Sequence, residues 1–310
     1  MRSKRAKQRN SGRRLLVFAI LIIMAIFIVL LNGLNSMNLK IDTNGVTAKS
    51  VSLDDVDPSQ LYSQYAVLID MKSGEALFSK KADTRCYPAS LTKIMTAIVA
   101  IEESDGIDKT CSLSDVPFEK LHKENASMAG YRRNDKTTLE DLLYGCLLSS
   151  GADASIGIAQ NISGSENKFV KLMNEKAKDL KLNDTHFENT IGLHHKNHYT
   201  TAEDMAKLLK YALKNPAFTE IFTDQSKNIR TSGREFTVHS TFFENYINKA
   251  GDFEVIGAKT GTTSDAGQCL ASCVKKDNSE YILITMGAPI GSSSQPFSFE
   301  DMDYVFENMN

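Results

Sequence analysis

The stretch VIGAKTGTTSDAGQCLASCVKKDNSEYILITMGA, residues 255–288, decides the fold that the sequence predicts. It contains three strand-like runs, VIGAKTG, GQCLASCVKK and YILITMGA, and a short polar segment at 277–280 joins the last two. Runs of apolar and β-branched residues that are separated by Gly, Asp and Asn are typical of strands connected by tight turns. This end of the chain therefore predicts antiparallel strands.

Two more strand-like runs occur near residue 65, where YAVLID and EALFSKK flank the turn-like segment MKSG. Helical patterns fill the region between the two groups of strands. A helix is expected from about Ser90, where apolar residues recur at the i, i+3, i+4 spacing of a helix that packs on a core. The order of strands, a helical block, then strands and a final helix predicts an α+β fold. Its sheet would be built from both chain ends, with the helical portion inserted between them.

Capping patterns predict where two of the other helices begin and where one of them ends. Thr137 with Glu140 is expected to open TTLEDLLYGCLL, and Thr201 with Asp204 to open TAEDMAKLLKYALK. Asn215-Pro216 is expected to end the second of these. Further helices are predicted at 165–181 and across FSFEDMDYVFENM.

The first 34 residues have the composition of a membrane anchor. Residues 1–14 carry seven Lys or Arg and no acidic residue, and every residue from Leu15 to Leu31 is apolar. This length lies near the lower limit for a helix that crosses the hydrocarbon core, and basic flanks stay in the cytoplasm. We therefore expect a cytoplasmic tail at 1–14 and a single transmembrane helix at 15–34, with the rest of the chain extracytoplasmic. A cleaved signal peptide is the alternative, although its apolar region is normally shorter and no clear cleavage site follows Leu31.

Residues 35–62 are polar, rich in Asp and Ser and without periodicity, so we expect a linker there and a folded domain at 63–310. The basic residues of the tail leave this domain acidic, since the whole chain has a net charge of −2. An acidic domain argues against nucleic-acid binding.

Five cysteines, an odd number, fall in the part of the chain expected outside the cytoplasm. At least one of them must stay unpaired or pair between chains. Cys269 and Cys273 are four residues apart on a predicted strand, about 13 Å at the strand rise, which is too far for a disulfide. We expect most of the five to be packed as small apolar side chains.

The segment PASLTK, residues 88–93, contains a candidate nucleophile and its base. Ser90 falls in the first turn of a predicted helix, and Lys93, three residues later, shares its face. A serine hydroxyl is a weak nucleophile unless a base takes its proton, and a lysine with a lowered pKa can act as that base. The helix N-terminus also offers N–H groups to an oxyanion. The S-x-x-K spacing alone is a weak signal because it is common in long chains.

Two later motifs add to this pair. Ser150, followed by Gly151, comes after an apolar helix, and its hydroxyl could relay a proton between Lys93 and a leaving group. Residues 259–262 (Lys259, Thr260, Gly261 and Thr262) continue the strand-like run VIGA. The glycine removes a side chain that would obstruct a substrate, whereas the lysine and the threonines can bind a carboxylate.

S-x-x-K, a short serine motif and K-T-G, in this order, form the signature of penicillin-binding proteins and class A β-lactamases. The stretches YAVLIDMKSGEALFSKKAD, PASLTKIMTAIVAIE, LLYGCLLSSGADAS and IGAKTGTTSDAGQCLAS also resemble the D-alanyl-D-alanine carboxypeptidase family, the low-molecular-weight penicillin-binding proteins. The resemblance covers about residues 60–310. It implies a β-lactamase/transpeptidase-like fold with an antiparallel sheet and an inserted helical subdomain.

The resemblance implies a catalytic role for three residues. Ser90 would be acylated by the penultimate D-alanine carbonyl of a peptidoglycan stem peptide that ends in D-Ala-D-Ala. Lys93 would be its base, and Ser150 would pass a proton to the departing D-alanine. The family is inhibited covalently by β-lactams and needs no cofactor or metal ion, and the same is expected here.

The resemblance also implies how substrate is held. Lys259 would supply positive charge, and Thr260 and Thr262 would help to hold the terminal carboxylate against Gly261. The backbone N–H groups of Ser90 and Thr262 would form the oxyanion hole.

Ala152 departs from the family pattern, which usually has Asn at the third position of the serine motif. That Asn binds the amide of the substrate, so its loss is expected to weaken or alter substrate binding rather than to abolish the chemistry.

Besides a carboxypeptidase, the sequence leaves two other functions open. A class A-like β-lactamase would need a Glu-x-x-x-Asn motif, but four residues after Glu188 the chain has Gly192. The other alternative is a catalytically impaired, membrane-anchored peptidoglycan-binding protein.

The cluster His194-His195-Lys196-Asn197-His198 raises the question of a zinc site, because imidazoles four residues apart on a helix can share a metal ion. Gly192 and Asn197 indicate a loop instead. We therefore expect no metal site here. His198 matches a histidine in the N-H-Y-[ST]-T-A stretch of the family, and the resemblance implies a structural role for it.

Overall fold

The computed structural model of the protein describes residues 55–247 and 251–309. The predicted tail and transmembrane helix lie outside the described residues. Within those two ranges no helix combines the length and the apolar character that a membrane span requires.

Nine strands lie in the described part of the chain, and the longest are the last three. They are β1 (Tyr65–Asp70), β2 (Ala76–Lys80), β3 (Thr110–Ser112), β4 (Lys136–Thr138), β5 (Ser226–Arg230), β6 (Glu235–His239), β7 (Phe253–Thr263), β8 (Gly267–Lys276) and β9 (Ser279–Ala288).

The described residues also form eight α-helices, most of them between β2 and β5. They are α1 (Thr92–Glu103), α2 (Phe118–Lys123), α3 (Leu139–Leu147), α4 (Ala152–Ser163), α5 (Glu166–Asp179), α6 (Ala202–Ala212), α7 (Pro216–Thr223) and α8 (Phe297–Glu307). Short 3-10 turns at Pro58–Gln60 and Ala89–Leu91 precede β1 and α1.

The main sheet has five antiparallel strands in the order β2-β1-β9-β8-β7. β1 and β2 come from the N-terminal side of the helical block and β7, β8 and β9 from its C-terminal side. The prediction of an α+β fold with a sheet from both chain ends and inserted helices is confirmed. β7, which carries residues 259–262, is an edge strand of this sheet.

Both faces of the sheet are covered, because alternate side chains of β1, β8 and β9 enter different cores. Val67 and Ile69 of β1 pack in a core with the helical block, whereas Ala66 and Leu68 pack in a second core with α8. α1 lies deep in the first core, where every residue from Thr92 to Ala100 is buried. The turn that precedes α1 is therefore anchored by a deeply buried helix.

Residues 56–62, which the sequence assigned to the linker, pack on the domain. Val56 and Leu61 are buried in the core beside α8. The carboxylate of Asp301 in α8 accepts hydrogen bonds from the N–H groups of Tyr62 and Ser63 at 2.7 and 2.8 Å. The composition of this segment is polar, so its few buried apolar residues did not stand out.

The predicted start of α3 is wrong by one residue. Thr138, not Thr137, is the N-cap, and its hydroxyl accepts from the N–H of Asp141 at 3.1 Å. Thr137 instead lies in β4, where it pairs with Cys111 of β3. The strand continues to Thr138, which delays the helix. At α6 the prediction is confirmed, because Thr201 accepts from the N–H of Asp204 at 3.0 Å.

Asn215 and Pro216 follow the end of α6 and also begin the next helix, α7. α6 ends at Ala212, and the side chain of Asn215 then caps α7 by accepting from the N–H groups of Ala217 and Phe218. Pro216 occupies the first turn of α7, where its missing N–H costs nothing.

All five cysteines are free thiols. The sequence predicted this for at least one of them from their odd number, and it excluded a disulfide between Cys269 and Cys273 from their spacing on the strand. Four are buried, and only Cys86 is partly exposed. Cys269 and Cys273 lie on β8, opposite Gly261 and Gly257 of β7.

Candidate active site

Ser90 lies in the 3-10 turn that leads into α1, and its hydroxyl meets the side chain of Lys93. The Nζ of Lys93 donates to Ser90 Oγ at 3.1 Å and to the carbonyl oxygen of Ile191 at 2.6 Å. Lys93 is only 2% exposed. The structure therefore brings the predicted nucleophile and base into direct contact, with the amine buried and the serine partly exposed.

The backbone beside Ser90 is strained. Ala89 has a φ of 47°, in the left-handed region that costs a non-glycine residue about 1 kcal/mol or more. Gly192, itself at a φ of 84°, packs on this turn so closely that a Cβ atom there would lie 1.9 Å from Ala89 O. The loop that supplies the Ile191 carbonyl can thus close on the turn that carries Ser90 only with glycine at 192.

Ser150 follows the end of α3 and also has a left-handed backbone, with a φ of 56°. Its Oγ is buried and has no hydrogen-bond partner among the described residues. A buried hydroxyl without a partner is unfavourable unless a ligand supplies one. The loop that carries Ser150 is tied to the chain before β7, since Thr241 N donates to Leu148 O at 3.0 Å.

The predicted substrate-binding residues lie on β7, and this strand runs directly past Ser90. A Cβ atom at Gly261 would lie 2.9 Å from the backbone nitrogen of Ser90, so glycine permits the close approach. Thr260 Oγ1 is 2.7 Å from Thr241 Oγ1, and Thr262 is exposed. Lys259 is 1% exposed, and its Nζ donates to Thr260 O at 2.8 Å.

Two buried amines give this site its electrostatic character. Burial lowers the pKa of Lys93 to about 8 and the pKa of Lys259 to about 7. The positive charge of Lys93 lowers the pKa of Lys259 further, whereas the carboxylate of Asp153 partly opposes the effect of burial at Lys93. Near neutral pH the pair can therefore supply both a neutral amine and a cation.

Asp153, which the sequence did not single out, anchors the segment beside Ser150. Its carboxylate accepts from the backbone N–H groups of Ala129, Gly130 and Tyr131 at 2.8, 3.1 and 2.9 Å. A Cβ atom at Gly151 would lie 2.5 Å from Ala129 Cβ, so this segment packs directly on the serine motif. An Asp in the first turn of a helix was the only signal for this role.

Ala152 begins α4 and is 1% exposed, and its N–H donates to Ser127 O at 2.7 Å. The expectation that this position alters substrate binding remains a prediction.

The histidine cluster lies in a loop, as the sequence predicted. His194 and His195 are exposed, whereas His198 is buried. Across the described ranges, no group of three or more His, Cys, Asp or Glu side chains is arranged to hold a metal ion.

This arrangement suits acyl transfer. It combines a hydroxyl next to an amine of lowered pKa, a second hydroxyl without a partner among the described residues, and an edge strand that bears a second buried amine. A substrate with a carboxylate next to its reactive carbonyl would match the charge and the geometry.

Comparison with known proteins agrees with this chemistry. Residues 50–290 match the family model described as D-alanyl-D-alanine carboxypeptidase. The D-alanyl-D-alanine carboxypeptidase DacF of Bacillus subtilis is 35% identical over 249 residues, which cover 78% of this chain and 61% of that protein. The D-alanyl-D-alanine carboxypeptidase DacA of Haemophilus influenzae is 30% identical and is covered to 67%, with 85% of this chain matched.

The crystal structure of a Streptomyces DD-transpeptidase has a TM-score of 0.71 and 27% sequence identity, and the match covers 80% of this chain and 97% of that one. The expected transpeptidase-like fold is confirmed. The chain thus spans less than two thirds of DacF but nearly all of the Streptomyces enzyme.

Proposed function

Because the chain belongs to the D-alanyl-D-alanine carboxypeptidase family, we propose that it is a serine-type carboxypeptidase that removes the terminal D-alanine of peptidoglycan stem peptides. The observation that carries the proposal is the 3.1 Å contact between Lys93 Nζ and Ser90 Oγ, beside an edge strand that bears a second buried lysine. No cofactor or metal ion takes part.

In the first step, Ser90 Oγ attacks the penultimate D-alanine carbonyl while Lys93 takes the hydroxyl proton. The backbone N–H groups of Ser90 and Thr262 stabilise the oxyanion. The C–N bond then breaks, and the departing D-alanine amine receives a proton from Lys93 through Ser150. Water next attacks the ester, which releases the shortened peptide and returns the proton to Ser90 Oγ.

Substrate lies along the edge of β7 in an extended conformation, as peptides do when they add to a sheet edge. Gly261 allows the reactive carbonyl to approach Ser90. Lys259, Thr260 and Thr262 hold the terminal carboxylate, and the negative charge of that group raises the pKa of Lys259. The cation at Lys259 then keeps Lys93 neutral and ready to act as a base.

A β-lactam also acylates Ser90, and this acyl-enzyme persists. A class A-like β-lactamase would need a carboxylate that activates the deacylating water. The side chain of Glu166 instead accepts from Thr190 N and Oγ1, and that of Glu188 lies 3.6 Å from His195 Nδ1. These contacts support the peptidase over the lactamase.

A fluorescent penicillin and a D-Ala-D-Ala peptide together test the proposal. We expect stable labelling and D-alanine release by the native chain, and neither by Ser90→Ala. Ser149→Ala is the matched control, because it removes a serine hydroxyl that has no part in the proposed steps and instead donates to His239 O. Rapid loss of the label would favour a β-lactamase, and a folded protein with no labelling and no D-alanine release would favour the impaired peptidoglycan-binding protein.

Residues 15–34 anchor the catalytic domain to the outer face of the cytoplasmic membrane, with residues 1–14 in the cytoplasm. The uninterrupted apolar run and its basic flank support this part of the proposal. Retention of the intact chain in membranes after alkaline washing is expected, together with digestion of the domain by external protease in spheroplasts. A secreted form that begins near residue 35 would instead indicate a cleaved signal peptide.

A further inference from the structure

The buried side chain of His198 is connected to the turn that carries Ser90 through the hydroxyl of Thr92. His198 Nδ1 accepts a hydrogen bond from the backbone N–H of Glu188 at 3.2 Å. A backbone N–H can only donate, so the proton of the neutral ring must lie on Nε2. Nε2 lies 2.8 Å from Thr92 Oγ1 and therefore donates to it.

The hydroxyl of Thr92 connects the histidine to the backbone carbonyl of Ala89. Because it accepts from His198, its own proton is free to donate to Ala89 O at 2.8 Å. The backbone N–H of Thr92 donates to the same carbonyl. The carbonyl of Ala89 is thus held from one side by two donors and approached from another by Gly192.

Ala89 C=O and Ser90 N–H belong to one planar peptide group, so the direction of the carbonyl sets the direction of the N–H. Ala89 has a left-handed backbone, a strained state that persists only where its surroundings impose it. Fixing Ala89 O therefore fixes the Ser90 N–H, which the proposed function assigns to the oxyanion hole.

We propose that His198 is a positioning residue that, through Thr92, orients the Ser90 N–H toward the oxyanion. The proposal rests on the proposed acyl-serine chemistry of Ser90. It assigns the histidine a role in the rate of acylation, beyond the packing expected of a core residue, although His198 contacts neither substrate nor Ser90 Oγ.

The test is the rate of acylation by a β-lactam, together with kcat and KM for a D-Ala-D-Ala peptide. Thr92→Val removes the hydroxyl at constant shape, and His198→Leu removes the imidazole. Each is expected to lower kcat and the acylation rate about tenfold, the usual scale for loss of one buried hydrogen bond, with KM changed much less. The Thr92→Val/His198→Leu double variant should be no slower than the slower single variant, because both break one connection.

Conservative variants of Thr92 and His198 distinguish a positioning role of His198 from a role in packing alone. Thr92→Ser keeps the hydroxyl, and His198→Gln keeps one acceptor and one donor, so each should recover most of the rate that Val or Leu loses. His195→Gln, an exposed histidine of the same loop, is the control and should match the native rate.

Two results would overturn the inference. The first is a loss of thermal stability in Thr92→Val and His198→Leu with an unchanged acylation rate per folded molecule, which means that His198 only packs. The second is a raised KM with unchanged kcat. Failure of the native chain itself to be acylated would instead contradict the proposed function.

Discussion

Lys93 and Lys259 lie at a single site, and their lowered pKa values predict its pH dependence. Only neutral Lys93 can take the proton of Ser90, and its pKa of about 8 means that this form increases as the pH rises through 8. We expect the acylation rate to rise about tenfold per pH unit below that value and to level off above it. Stopped-flow acylation by a β-lactam between pH 5 and 10 measures the profile. A rise only above pH 10, as for an ordinary lysine, would contradict it.

Lys259→Gln tests whether the two amines are coupled. Repulsion between two ammonium groups is mutual, so in the complex, where the substrate carboxylate keeps Lys259 charged, loss of this cation should raise the pKa of Lys93. The rising part of the same profile is expected to move to higher pH, in addition to a weaker affinity for the peptide carboxylate. A lower rate with an unchanged midpoint would show that Lys259 acts on substrate alone.

Ala152 is the residue where this chain departs from the pattern of the family. Ala152→Asn restores an amide that can bind the peptide group of the substrate, and we expect KM to fall about fivefold with a smaller change in kcat. Steady-state release of D-alanine gives both constants. Ala152→Val adds bulk without an amide and is the control. A rise of KM in both variants would show that this buried position has no room for a larger side chain.

At the scale of secondary-structure elements, Asp153 joins α4 to the segment 129–131. Its carboxylate accepts from three backbone N–H groups of that segment and from the N–H of Ala154, whereas the amide of Asn would turn an NH2 group toward at least one of them. Asp153→Asn is expected to lower the free energy of unfolding by about 2–3 kcal/mol, measured by urea denaturation. Asp105→Asn, at an exposed position, should change it little. Equal stability of the two variants would mean that the segment is held by packing alone.

At the scale of the whole molecule, residues 56–62 close the core beside α8. Two forms of the chain, beginning at Asp55 and at Ser63, differ in the burial of Val56 and Leu61 and in the contact of Tyr62 N with Asp301. Loss of two buried aliphatic side chains predicts that the shorter form is less stable by about 3 kcal/mol. Guanidinium denaturation compares them, and coincident midpoints would show that the domain begins at 63, as its composition suggested.

The accuracy of the sequence predictions varied with how periodic each element is. The main strands and α1 were predictable because their apolar residues recur at the strand or helix period. α4 was missed because its first eight residues, Ala152–Ala159, are all buried, so it has no polar face to reveal a helical period. The two-stranded sheets β3–β4 and β5–β6 were missed because their strands are short and largely polar.

The residue types and spacing of S-x-x-K and K-T-G determined, without any structure, which side chains could be nucleophile, base and carboxylate ligand. They did so for two reasons. Helix geometry brings together side chains that are three residues apart, and a glycine in a strand indicates a place where another backbone segment must come close. Only the tertiary structure decided how those groups are held. The Lys93–Ile191 contact and the Thr92–His198 contact join residues 98 and 106 positions apart. The first ends on a backbone carbonyl, and the second depends on the backbone N–H of Glu188. Every residue carries these backbone groups, so no side-chain pattern can indicate which of them the fold will use.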